Sequence, residues 1–91
     1  MTLCESIAAD YPQLAEAMVE REAKGMETYG APLNPRDDRR DFYRETEEEL
    51  LDACVYVRAI RERGEFLYPS VEMHLLAAIE ALRMSRALEG K

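Results

Sequence analysis

The 91-residue sequence predicts an all-α fold of three main helices whose bundle is completed by oligomerisation. Three observations carry this. Apolar residues recur at helical spacing in three segments, no segment alternates with the period of two that marks a strand, and prolines and glycines fall mainly between the segments. A chain of this length makes one domain, 1–91, and buries a modest fraction of its surface. The wide apolar faces therefore call for a second chain that closes a four-helix arrangement, and a homodimer or homotetramer is expected.

The elements follow in order. Thr2 with Glu5 three residues on matches a capping box, which predicts a short leading helix from Leu3 to Ala9. Asp10 is an N-cap candidate and Pro12 suits a first turn, so the next helix runs through Leu14, Ala15, Met18, Val19, Ala23 and Met26. Tyr29 and Gly30 stop it. GAPLNPRDDRRD, from Gly30 to Asp41, has no apolar period and reads as a loop. Asp41 caps the central helix, which reaches about Arg63 and halts at Gly64. After a short connection through Phe66, Leu67 and Tyr68, Ser70 is the expected N-cap of the last helix. There Val71, Leu75, Ala78, Ile79, Leu82 and Ser85 or Arg86 trace a core-facing stripe.

Composition removes several function classes. An apolar content of 47% excludes general disorder, and a formal net charge of −7 argues against a nucleic-acid binder, which needs a basic face. No apolar run approaches the ~20 residues that span a bilayer, and no basic-then-apolar leader opens the chain, so a cytoplasmic protein with no membrane partner is expected. Cys4 and Cys54 fit no metal-binding spacing; Cys54 reads as a small buried hydrophobe. His74, the single histidine, has no companion at ligand spacing and reads as a helix-face residue.

The chain is organised around ETEEELLDACVYVRAI, Glu45 to Ile60. It begins as an acid cluster and turns apolar, yet Asp52 persists inside. Between Leu50 and Ile60 only Asp52 and Arg58 are not apolar, which predicts a buried central helix. Glu45, Glu48, Glu49 and Asp52 stand at i, i+3, i+4 and i+7, so four carboxylates share one face over two turns. Their repulsion is relieved by cations: a hard divalent ion, magnesium or manganese, or a set of guanidinium groups.

Two further constellations flank this stripe. Glu16 and Glu20 lie one turn apart on the preceding helix, and Glu20 is a candidate fifth metal ligand, although Glu20 with Lys24 is also an ordinary surface pair. Lys24, Arg36, Arg39, Arg40 and Arg44 bracket the loop and the start of the acidic helix. They suit a phosphate-rich ligand, or simple charge balance within RDDRRD. Tyr29 and Tyr56 are candidates to stack a base, as are Phe42 and Tyr43, against the plainer reading of aromatic core.

The segment from Lys24 to Arg58 resembles small bacteriophage and bacterial members of the MazG-like all-α nucleotide pyrophosphohydrolase family. In these a KGxxxYGxPL segment precedes an Arg-Asp turn and a helix of the form EELLDAxxY. The resemblance covers the middle third of the chain. It implies a helical oligomer that binds magnesium through acidic residues and splits a nucleoside triphosphate into monophosphate and pyrophosphate. The family's ExxD falls on Glu49 and Asp52 with Glu48 beside them, so Glu48, Glu49 and Asp52 are the catalytic candidates, and Glu45, Glu48, Glu49, Asp52 and Glu20 the metal candidates. Substrate-binding candidates are Lys24, Tyr29, Arg40, Arg44 and Tyr56. The ExxE of the preceding helix is absent; that helix offers Glu16 and Glu20 at ExxxE spacing, and an ExxE occurs as Glu45 to Glu48 on the same helix. A catalytically inactive relative that sequesters a nucleotide or cyclic-nucleotide defence signal is the alternative. A purely structural helical protein comes last, because it leaves Asp52 unexplained.

Overall fold

A computed structural model describes residues 1–90. Among them it is all-helical: α1 (Leu3–Asp10), a 3-10 turn (Pro12–Leu14), α2 (Ala15–Tyr29), α3 (Phe42–Glu62) and α4 (Pro69–Glu89). The chain divides into two compact units, Met1–Asp37 and the residues from Asp38 on.

In the first unit α1 packs against α2. The capping box forms as its sequence implies: the Glu5 amide donates to the Thr2 hydroxyl at 3.1 Å, and the Thr2 amide donates to the Glu5 carboxylate at 2.9 Å. Two orphan donors of the first turn are thereby satisfied. Asp10 is the last residue of α1 and caps nothing. Pro12 instead opens a 3-10 turn, and α2 begins after Leu14 without a side-chain cap. The α2 face turned inward carries Ala15, Met18, Glu22 and Gly25, all half-buried. Gly30 ends the helix at φ +74°, its amide donating to the Met26 carbonyl at 2.8 Å. That left-handed position is one a Cβ resists.

The second unit is a helical hairpin of α3 and α4. Asp41 caps α3, its carboxylate accepting from the Arg44 amide at 3.0 Å and also from Arg86 of α4. α3 closes with a Schellman arrangement. The Gly64 amide donates to the Arg61 carbonyl at 2.9 Å, and the Glu65 amide to the Ile60 carbonyl at 3.1 Å, with Gly64 at φ +74°. Pro69 takes the first position of α4 and Tyr68 precedes it as the cap residue, which displaces Ser70 into the helix. Proline's fixed φ and missing N–H suit that place better than any other in a helix.

Between α3 and α4 the facing rows are Leu50, Ala53, Cys54, Val57 and Ile60 against Val71, Leu75, Ala78, Ile79 and Leu82. Among the described residues only Val57 and Ile79 are buried hydrophobics, 6% and 5% exposed. The central helix is thus not enclosed on all sides, as its apolar run suggests. One neighbouring helix covers one stripe, and Leu51, Val55 and Tyr56 lie exposed on the rest of α3. Cross-helix ion pairs flank the seam: Arg83 to Glu47 at 2.6 Å, Arg58 to Glu72 at 2.7 Å, and Arg61 to the other Glu72 oxygen at 2.6 Å. Exposed pairs of this kind add register more than stability.

Candidate functional site

The acidic stripe of α3 points away from the row that meets α4. Positions 45, 49, 52 and 56 recur at helical spacing about a third of a turn from Val57's side. Glu48, Glu49, Asp52 and Tyr56 are exposed, Tyr56 at 69%, and Glu45 is half-buried. Asp52 is therefore no desolvated aspartate within one chain. It stands in the open among Leu51, Val55 and Tyr56, an acid set in an uncovered apolar surface.

Two of the guanidinium groups considered for phosphate, those of Arg40 and Arg44, are engaged with the stripe. Arg40 makes a two-pronged pair with Glu45, its Nε donating at 3.1 Å, and lies 5.1 Å over the Phe42 ring. Arg44 donates to Glu48 at 3.1 Å, one turn along the helix. The first two carboxylates of the line thus take arginine as counter-charge, one of the two cation sources the stripe requires. Glu49 and Asp52, at the i, i+3 spacing of the ExxD, continue beyond them. Tyr43 is half-buried with Arg86 5.7 Å above its ring, a packing and cation–π role.

Glu20, Lys24 and Tyr29 are exposed residues of α2, in the first unit. Tyr29 is its last helical residue. Among the described residues no three Asp, Glu, His or Cys side chains are grouped as a metal-holding set. Hard oxygen donors remain in Glu49 and Asp52, and their chemistry fits magnesium or manganese, which keep several waters and take one or two carboxylates.

Other polar groups of note lie outside the metal and phosphate candidates. Asp41 is held below the ordinary carboxylate range, first by the Arg44 amide and then by Arg86. Glu72 is lowered by its hydrogen bond from Arg58, with the charges of Arg58 and Arg61 adding to it. Glu22 has a buried Oε1 with no hydrogen-bond partner. Its place at Met18+4 and Gly25−3 on the inner face of α2 is the signal that finds it.

An all-helical chain with an acid-lined, outward-facing central helix is the class these features define. No family model, curated protein or solved structure matches the chain. No helix among the described residues is long and apolar enough to cross a membrane.

Proposed function

We propose that the protein is a magnesium- or manganese-dependent nucleotide pyrophosphohydrolase that converts a nucleoside or deoxynucleoside triphosphate to monophosphate and pyrophosphate. The observation that carries this reading is the exposed ExxD of Glu49 and Asp52 on α3, set in the segment that resembles the MazG-like family. Glu49 and Asp52 would hold the ion, with Glu48 beside them. A bound divalent ion supplies charge on the phosphoryl oxygens and an acidified water. The chain's own groups do the rest. A stripe glutamate takes the proton of the attacking water as its oxygen bonds to phosphorus. The bond from that phosphorus to the bridging oxygen breaks, and Arg44 meets the charge left on pyrophosphate. Tyr56 offers a face for the base, and Arg40 a contact for phosphate.

The pairing of Arg40 with Glu45 and Arg44 with Glu48 favours a second reading, a relative that captures a nucleotide without cleaving it. Two of the four stripe carboxylates are then counter-ions to arginine, and α2 lacks the ExxE. Mass spectrometry after incubation with canonical, modified and cyclic nucleotides, with and without magnesium, separates the two. Metal-dependent monophosphate plus pyrophosphate supports the enzyme; intact nucleotide released only on denaturation supports capture; neither outcome removes both. For the enzyme, Asp52→Asn is expected to lower turnover at least about 100-fold, and unchanged turnover and metal binding would sink the reading.

A further inference from the structure

Turned away from α4, the outer face of α3 carries one continuous row at helical spacing: Glu49, Asp52, Val55, Tyr56, Ala59 and Glu62, all exposed. Val55 is 67% and Tyr56 69% exposed, and Leu51 borders them at 43%. Acids stand at both ends of the row and apolar side chains in its middle. We propose that this face is the docking surface for a basic amphipathic helix of another protein, apolar at its centre and bearing Lys or Arg toward both ends.

Charge selects the occupant. Among the described residues Glu49, Asp52 and Glu62 make no ion pair, whereas Glu45 and Glu48 hold Arg40 and Arg44. The arginines further along α3 are committed too: Arg58 and Arg61 to Glu72, and Arg63 to Glu65 at 2.8 Å. The face therefore presents uncompensated carboxylates around an apolar centre, on a chain whose formal net charge is −7. A second copy is a poor occupant in either direction. Side by side and parallel, it sets Glu49 beside Glu49 and Glu62 beside Glu62. Antiparallel, with Val55 and Tyr56 at the crossing point, it sets Glu62 of each copy beside Glu49 of the other. Like charges across an interface exclude a partner, and a cationic helix turns both ends into attractions. The helical form follows from the shape of the face. Glu49 to Glu62 makes a straight ridge of about 20 Å at about 1.5 Å per residue, on a two-helix hairpin that lacks a further layer. The apolar groove of about 400 Å³ beside the α3–α4 seam, walled mainly by Cys54, Met73, Leu76 and Ile79, carries no such code, since Arg61 and Glu72 at its end pair with each other.

This inference goes beyond the nucleotide reading and does not rest on it, although Glu49, Asp52 and Tyr56 serve both. Its test is run in EDTA without nucleotide, so that the two stand or fall separately. The probe is a fluorescein-labelled peptide of about 18 residues, long enough to cover the ridge as a helix, with leucine and alanine along one side and lysines at both ends of that side. Fluorescence anisotropy measures binding to the full chain, and circular dichroism checks that each variant is folded. Saturable binding is expected, and a scrambled peptide of the same composition should bind at least about tenfold more weakly. Val55→Asp, at an exposed position, should weaken the probe at least about tenfold. Glu62→Lys should do the same and should recover binding to a peptide with glutamates in place of the lysines at the facing end. No binding up to about 1 mM peptide overturns the proposal, as does equal binding of the scrambled peptide or indifference to Val55→Asp and Glu62→Lys. Self-association of the chain that Val55→Asp abolishes in sedimentation equilibrium also overturns it, since the face then belongs to a second copy.

Discussion

Replacing Ile79 with alanine tests the packing on which the hairpin depends. Ile79 is 5% exposed, so the substitution removes three buried carbons, about 2.4 kcal/mol at about 0.8 kcal/mol each. The space left behind adds to this. The groove alongside lets Met73 and Leu76 shift inward, which keeps the total near the low end of the usual range, about 3 kcal/mol. Against a stability of about 5–14 kcal/mol for a chain of this length, that is a large fraction, and it corresponds to a fall in Tm of about 12–24 °C. Urea titration followed by far-ultraviolet circular dichroism, at fixed protein concentration, measures it. Val55→Ala, at a position 67% exposed on the opposite side of α3, is the control and is expected to cost under about 0.5 kcal/mol. Equal costs for the two would refute the assignment of Ile79 to the core and Val55 to the surface.

Two other perturbations follow from the same structure. Asp41, Glu72 and Glu5 all have lowered pKa values, the last through the Thr2 amide and hydroxyl. The folded values lie below the unfolded ones, so their contribution is complete above the ordinary carboxylate range. It is lost as pH falls through the lowered values. Stability should therefore hold from neutrality to about pH 5 and decline below about pH 4, and Asp41→Asn should flatten that decline in acid titrations. Glu22→Leu removes the unpartnered buried oxygen of α2 and should raise the unfolding free energy by about 1 kcal/mol in the same urea assay.

Local chemistry was legible in the sequence wherever one residue determines its own neighbourhood. Thr2 with Glu5, Asp41, Gly30 and Gly64 each act within four residues, and the structure places all of them as caps or stops. Asp10 and Ser70 have the right chemistry for caps but the wrong neighbours, since Pro12 diverts the chain into a 3-10 turn and Pro69 claims the first position of α4. The candidate site was legible as a line of acids and not as an environment. The apolar run around Asp52 records what the helix surface is made of, whereas burial depends on what comes to cover it. Arg40 and Arg44 likewise announce cations near carboxylates; only coordinates show that Glu45 and Glu48 already receive them.

The order of charges along α3 also bears on how the chain acquires its structure. Acids gather at the helix's positive end and arginines at its negative end, with Asp41 supplying the cap and Arg44 to Glu48 a one-turn bridge. At 21 residues the segment exceeds the about 12–15 at which isolated helices become viable in water. α3 therefore carries much of its own preference for helix, and α4 follows it after a short turn closed by Gly64. Such a hairpin assembles through contacts near in sequence, on the fast side of folding timescales.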